Sequence, residues 1–167
     1  MSEKSLVAII MGSDSDWPLV KKASETLTRF GVTHDVRVMS AHRTPENIRA
    51  YMASAETERG VNVFIAAAGK AAHLPGVIAS FTTKPVIGLP ISSQALGGMD
   101  ALLSIVQMPS GIPVATVALD GAENAALLAV QMLSLKMPEL ANALTEHRRK
   151  MAETVMEKDQ ALQESLK

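Results

Sequence analysis

The sequence contains no cysteine, which excludes a disulfide framework, thiolate catalysis and metal ligation by thiolates. Aromatic residues are only 3% of the chain and the net charge is −1, so neither base stacking nor phosphate tracking along a nucleic acid is favoured. No apolar run is long enough to span a membrane. The run that follows Ser5 is too short for the core of a signal peptide. We therefore expect a cytoplasmic protein that binds neither nucleic acids nor membranes.

Short apolar runs alternate with helical patterns along the 167 residues, which is typical of strand–helix–strand units. Strands are predicted at residues 6–11, 34–39, 61–67, 85–90 and 114–119. Helices are predicted before Gly31 and Gly60, near 77–79, and at 99–106 and 122–136. The pattern predicts one α/β domain over residues 1–167: a three-layer α/β/α sandwich around a doubly wound, flavodoxin-like parallel sheet of about five strands.

Two helices dominate the C-terminal third of the sequence. The one at 122–136 is apolar almost all round, which predicts burial in the core or at a subunit interface. After Pro138, a long charged helix carries a narrow stripe made of Leu140, Leu144, His147, Met151 and Val155. This helix is too long to fold back over a small domain along its whole length. We therefore expect residues 139–167 to form a C-terminal helix that packs on a neighbouring subunit.

Polar or small residues follow each of the first three strands, at 12–16, 40–43 and 68–73. In a parallel sheet all three loops lie at the same edge, where open α/β sheets bind their ligands. The second loop leads into a helix for which Thr44 is a good N-cap and Pro45 a good first residue. Free N–H groups at such a helix start favour an anion. The sequence therefore predicts one binding site at this edge.

The residues of these loops indicate which chemistry the site performs. Hydroxyls and loop N–H groups can hold phosphate oxygens, and Arg43 can clamp them with two hydrogen bonds. Asp16 can accept hydrogen bonds from the hydroxyls of a ribose. His42 is the natural proton shuttle, since an imidazole titrates near neutral pH. His73 has two open interpretations: it binds substrate, or it satisfies carbonyls of its own loop.

Other kinds of site are disfavoured by the spacing of the residues. The loop at 12–16 is neither a Walker loop nor a G-x-G-x-x-G fingerprint. The histidines and aspartates lie on separate loops without metal-ligand spacing, so no metal is expected. No serine has the context of a nucleophile elbow. His34 and His147 are predicted to be structural or solvated.

Four motifs together carry a resemblance to a known family. They are MGSDSDW at 11–17, SAHRTP at 40–45, AAHLPG at 71–76 and SIVQMPSGIPV at 104–114. In order and spacing they resemble the class I PurE family, the N5-carboxyaminoimidazole ribonucleotide mutases of purine biosynthesis. The resemblance runs from about Val7 to Leu135. Arg43 favours the mutase branch, because the carboxylase branch that uses free CO2 has lysine after this histidine.

The resemblance implies a homo-octamer without metal or organic cofactor. It also implies the reaction of this family, which moves a carboxylate from N5 to C4 of 5-aminoimidazole ribonucleotide by decarboxylation and recarboxylation in a closed pocket. By motif position, His42 is expected to be the general acid and base. The residues expected to bind substrate are Ser13, Ser15, Asp16, Ser40, Arg43, Gly69, Lys70, His73 and Leu74. The expected partners are this ribonucleotide and, transiently, the enzyme that supplies it.

The sequence departs from the family in the loop after the third strand. It reads AAAGKAAH at 66–73, where the family usually reads AGAGGAAH, so Ala67 and Lys70 replace glycines. The Lys70 ammonium either turns towards the migrating carboxylate or points to solvent. Three alternatives stay open: a carboxylase that uses CO2 directly, a non-catalytic sensor that binds ribonucleotides, and flavin binding, which the scarcity of aromatic residues disfavours.

Overall fold

A computed structural model of the chain describes residues 5–167; residues 1–4, which the predicted domain includes, lie outside the described part. The strands of that part are β1 (Val7–Met11), β2 (His34–Val38), β3 (Val63–Gly69), β4 (Val86–Ile91) and β5 (Ala115–Thr116). The helices are α1 (Trp17–Arg29), α2 (Pro45–Ala55), α3 (Leu74–Ala79), α4 (Met99–Val106), α5 (Ala122–Ser134) and α6 (Pro138–Ser165). A short 3-10 turn, Asp14–Asp16, leads into α1.

The strands form one parallel sheet in the order β2-β1-β3-β4-β5. Ile9 of β1 lies opposite Val36 of β2 on one side and Ile65 of β3 on the other. Because β2 lies on one side of β1 and β3 on the other, the strand order reverses at β1, and ligands bind at such switch points. The predicted doubly wound parallel sheet is therefore confirmed.

Each face of the sheet is covered by its own layer of helices. On one face, Ile9 belongs to a buried cluster with residues of α1, α5 and the start of α6. On the other face, Ile10 belongs to a cluster with residues of α2, α3 and α4. Gly88 of β4 lets α4 pack close to the sheet, because a Cβ there would collide with the Ile105 side chain. These layers make the predicted three-layer sandwich.

The last strand is shorter than predicted. Only Ala115 and Thr116 form a ladder with β4, whereas the apolar run extends over 114–119. The Val117 N–H still donates to the Gly88 carbonyl oxygen at 3.0 Å. The chain then turns away at Asp120, which has a positive φ of 58° and whose side chain accepts from the Ser92 N–H at 2.8 Å.

The C-terminal helix divides into two parts that differ in burial. In the first part, Leu140 is buried and the His147 ring meets the Phe30 ring edge-on at a centroid distance of 5.5 Å. From residue 148 onward every residue is exposed; we call residues 148–165 the distal half of α6. Within residues 5–167, neither this helix nor any other is apolar enough over a sufficient length to cross a membrane. The packing of α6 on a neighbouring subunit stays a prediction.

Helix α5 is buried along one side and His34 has a structural role, as the sequence predicts. The buried side of α5 contacts α1, α6 and the sheet. His34 is held at both ring nitrogens, with Nε2 2.7 Å from Ser24 Oγ and Nδ1 3.0 Å from the Val32 carbonyl oxygen. It is therefore a structural residue of the β2 edge.

Candidate active site

The loops that follow β1, β2 and β3 meet at the carboxyl edge of the sheet, as predicted, and hydrogen bonds join them. The Gly12 N–H of the first loop donates to the Ala67 carbonyl oxygen of β3 at 3.2 Å. Arg43 of the second loop donates from its guanidinium to the Gly12 carbonyl oxygen at 3.4 Å. His42 of the second loop contacts His73 of the third at 2.8 Å. The three loops therefore form one connected surface.

In the first loop, Ser13 organises its neighbours. Its Oγ accepts from the Ser15 N–H at 3.3 Å and from the Ser15 hydroxyl at 2.8 Å. These bonds cap the 3-10 turn that precedes α1. Asp16 occupies the N-cap position of α1, but its side chain makes no capping bond there.

Asp16 lies half-buried at the end of this loop. Burial raises the pKa of its carboxyl; hydrogen bonds from Ser13 and Ser15 oppose the rise, and the charge of Asp14 adds to it. A carboxylate that burial disfavours gains from further hydrogen-bond donors. Asp16 is therefore suited to accept hydrogen bonds from the hydroxyls of a ligand.

The second loop is closed by Thr44. Its hydroxyl donates to the Ser40 carbonyl oxygen at 3.1 Å and accepts from the Ser40 N–H at 2.9 Å. Thr44 occupies the predicted N-cap position of α2, but its side chain makes no capping bond there. The sequence analysis does not predict that Thr44 closes this loop. The signal for it is the four-residue spacing of Ser40 and Thr44, since hydroxyl side chains can bond to nearby backbone.

Arg43 is held at the edge of the site by the same loop. Its backbone N–H and its Nε both point to Ser40 Oγ, at 3.2 and 3.4 Å. With the bond to Gly12, these contacts aim the guanidinium across the first loop while the side chain stays exposed. Its remaining N–H groups can donate to an anion.

The third loop contributes His73. His42 Nε2 and His73 Nδ1 are 2.8 Å apart, and the two rings meet edge-on with centroids 4.9 Å apart at an interplanar angle of 81°. Both side chains are exposed. One nitrogen must donate and the other accept, so a single proton lies between the rings. Both histidines were predicted to lie at the site, but their contact was not predicted.

Lys70 and its neighbours shape the base of the third loop. Lys70 has a φ of +57°, the left-handed region in which glycine is most at ease, and its side chain is exposed. Ala67 is buried within β3. Its backbone has ordinary strand geometry, so an alanine fits there in place of the family's glycine. The side chain of Leu74 is buried in the core, with 2% of its surface exposed, and the contact of Leu74 with substrate stays a prediction. Gly69 ends β3 beside Ile91.

The site is open in a single chain. His42, Arg43, Lys70 and His73 are all exposed, so the predicted closed pocket needs a cover that the described residues of one chain do not supply. Within residues 5–167, no group of three or more His, Asp or Glu side chains has the arrangement of a metal site.

The chain is similar to proteins of known family. The family model described as AIR carboxylase matches residues 6–154. The N5-carboxyaminoimidazole ribonucleotide mutase of Pyrococcus horikoshii is 58% identical over 163 residues, which are 98% of this chain and 92% of that protein. The protein of the same name from Aquifex aeolicus is 61% identical over 141 residues, 84% of each chain.

The fold has a matching solved structure. The crystal structure of Treponema denticola PurE superposes with a TM-score of 0.87 at 33% identity, covering 95% of this chain and 99% of that one. The predicted resemblance and the predicted fold are both confirmed.

Proposed function

The chain belongs to the AIR carboxylase family, and we propose that it is an N5-carboxyaminoimidazole ribonucleotide mutase of purine biosynthesis. One observation carries the proposal: the loop after β2 directs Arg43 to the first loop and His42 to the third. An anion clamp and a proton shuttle thereby lie side by side at one sheet edge. Relatives that bear the mutase name at 58% and 61% identity support an enzyme of this kind.

The phosphate of the ribonucleotide binds between the first two loops. Arg43 supplies the positive charge, and the hydroxyls of Ser13 and Ser40 supply further hydrogen bonds. Ser40 Oγ, which accepts from Arg43 Nε at 3.4 Å, still has its own proton to donate. A charge-assisted contact of this kind is worth roughly 1.5–3 kcal/mol.

The ribose and the base extend from the phosphate along the edge. Asp16, whose charge is disfavoured by burial, accepts hydrogen bonds from the ribose hydroxyls. The aminoimidazole then reaches the third loop, where Gly69 and the backbone of Lys70 and Leu74 border its carboxylate. His42 faces the reacting atoms from the second loop.

The reaction needs one group that gives a proton and takes one back. Breaking the N5–carboxylate bond releases CO2 and leaves an electron pair on N5, which receives a proton from His42. Carbon C4 then attacks CO2 and forms a C–C bond, and the proton that C4 carried passes to His42. The protons balance over the cycle, so a single imidazole completes it. Holding CO2 beside C4 supplies the proximity that this step needs.

The cover of the site comes from assembly. An open edge would let CO2 escape before recarboxylation, and exclusion of water also protects the intermediate. A neighbouring copy in a homo-octamer closes the edge, and residues 139–167 pack on another subunit. The apolar stripe on the exposed part of α6, with Val155 65% exposed, supports this packing.

A turnover assay tests the proposal. Purified protein is given N5-carboxyaminoimidazole ribonucleotide without ATP or added metal, and the C4-carboxylated product is followed. We expect conversion. If conversion requires CO2 together with the uncarboxylated ribonucleotide, the protein is a carboxylase; if the substrate binds without reacting, it is a sensor.

A further inference from the structure

The contact between His42 and His73 is the feature that the proposed reaction does not use. His42 Nε2 and His73 Nδ1 are 2.8 Å apart. Within residues 5–167, it is the single hydrogen bond made by either ring. Both rings are exposed in the single chain. Within one chain, the contact with His73 is therefore the side-chain interaction that orients the His42 ring.

The contact restricts where His42 carries its proton. A neutral imidazole has one N–H and one bare nitrogen. If His73 Nδ1 donates, His42 accepts at Nε2 and holds its own proton on Nδ1; if His42 Nε2 donates, its Nδ1 is bare. Each arrangement holds the His42 ring in one orientation and pairs one tautomer of neutral His42 with one tautomer of His73. An exposed imidazole without a partner would exchange between both tautomers and rotate.

The backbone of His73 is well placed to serve as a fixed support. Its N–H donates to the Ala71 carbonyl oxygen at 2.9 Å, and its carbonyl accepts from the Val77 N–H at 3.0 Å. The next residue, Leu74, is buried in the core. The His73 ring therefore projects from an anchored position at the start of α3, whereas His42 lies within a turn of the second loop.

We infer that His73 is a positioning residue: it fixes the tautomer and orientation of the imidazole that exchanges a proton with the substrate. In a histidine, the nitrogen that carries the proton is set by the hydrogen bond that the other nitrogen makes, and catalytic bases are commonly oriented by such a second group. The inference rests on the proposed mutase function, and it differs from the substrate-binding role expected of His73. A substrate ligand lost from the site raises KM, whereas a lost support of the base lowers kcat.

Three variants of His73 separate these roles. In His73→Asn, the side-chain amide can occupy the place of Nδ1 and keep the bond to His42. His73→Gln places its amide near the position of Nε2 instead, and His73→Leu has no polar atom. We expect His73→Leu and His73→Gln to lose roughly ten- to a hundredfold in kcat, a part of the full effect of a general base. KM should change little, and His73→Asn should recover most of the activity.

A spectroscopic measurement on the unliganded protein gives an independent readout. Long-range ¹H–¹⁵N spectra of the imidazoles distinguish the two neutral tautomers, with the His42 signals assigned from His42→Asn. We expect one tautomer of His42 in the wild type and in His73→Asn, and a mixture in His73→Leu and His73→Gln. Thermal melting checks that each variant is folded, and His73→Gln provides the same test if His73→Leu does not fold.

Two results would overturn the inference. A rise in KM with unchanged kcat in His73→Gln makes His73 a substrate ligand, and identical His42 spectra in all variants remove its hold on the tautomer. A wild-type protein that does not convert the substrate refutes the proposed function instead. In that case the spectra still decide whether His73 fixes His42.

Discussion

The loops at the carboxyl edge and the distal half of α6 are both exposed, but they are exposed in different ways. In the loops, polar groups of three separate segments bond to one another, as Arg43 does to Gly12 and His42 to His73. In the distal half of α6, apolar Met151 and Val155 point to solvent with 55% and 65% of their surface accessible. The ordered polar groups of the loops are suited to binding a small polar ligand. The exposed apolar stripe of α6 is typical of a surface that packs against another protein chain.

The polar side of α6 does not explain why its distal half is helical. Arg149 pairs with Glu146 at 2.7 Å and also with Glu153. The hydrogen bond from Arg149, together with the charges of Arg149 and Lys150, lowers the pKa of the Glu146 carboxyl. Exposed pairs of this kind contribute little to stability, and most of the stability of helices in proteins comes from the packing of an amphipathic face. We therefore expect substitutions at the edge to change catalysis and substitutions on the stripe to change assembly.

The largest effect is expected for His42→Asn. It removes the proton shuttle and should lower turnover by about 10²–10⁴-fold, the usual contribution of general acid–base catalysis. Binding of the ribonucleotide should remain, because Arg43 and Asp16 are untouched. Steady-state kinetics and a binding titration measure both quantities. Retention of more than roughly a tenth of the activity would remove His42 from this role.

Arg43→Ala is expected to act on affinity. Loss of a charge-assisted contact worth roughly 1.5–3 kcal/mol weakens binding by about ten- to a hundredfold. The matched control is the dephosphorylated nucleoside, which should bind the variant and the wild type equally. Equal losses for nucleotide and nucleoside would show that Arg43 does not hold the phosphate.

The location of the site was predictable, but its contacts were not. Residues 6–11 form a continuous apolar run, so β1 had to be a strand covered on both faces, and parallel strands end at one edge. The His42–His73 contact depends on side-chain rotamers and on where α3 begins, neither of which leaves a periodic signal. The short β5 likewise leaves no signal: apolar residues continue past Thr116, and the Asp120 N–H still donates to the Pro90 carbonyl oxygen of β4 at 2.9 Å, but the ladder includes only Ala115 and Thr116.

The stripe on α6 is tested by Met151→Glu combined with Val155→Glu. Sedimentation of the wild type at micromolar concentration should show no monomer. Burial of each apolar side chain at an interface is worth roughly 1.5–3 kcal/mol, so the double variant should weaken assembly at least about tenfold per side chain. Gln160→Glu with Gln163→Glu adds the same charge away from the stripe and serves as the control. A wild type that is monomeric and fully active would contradict the assembly.

The smallest effect is expected for Lys70→Gly. This variant tests whether the exposed charge of Lys70 at the sheet edge contributes to catalysis. Turnover should change by less than about tenfold, or roughly 1.4 kcal/mol. Glycine should also relieve the left-handed backbone, which costs other residues roughly 1–2 kcal/mol, so the melting temperature should not fall.

Lys70→Ala is the matched control, because it removes the ammonium and keeps the positive φ of +57°. A hundredfold loss of turnover in both well-folded variants would make Lys70 a catalytic residue. A loss in Lys70→Gly alone would instead assign the effect to the backbone of the loop.

The strand order also affects how the chain folds while it is being synthesised. β1 is made first, yet it lies inside the sheet between β2 and β3. Until residues 63–69 have left the ribosome, β1 can have a partner along one edge only, although all five of its residues are buried in the finished protein. An unpaired apolar edge is a template for aggregation. We therefore expect the nascent chain to depend most on chaperones between the completion of β2 and that of β3.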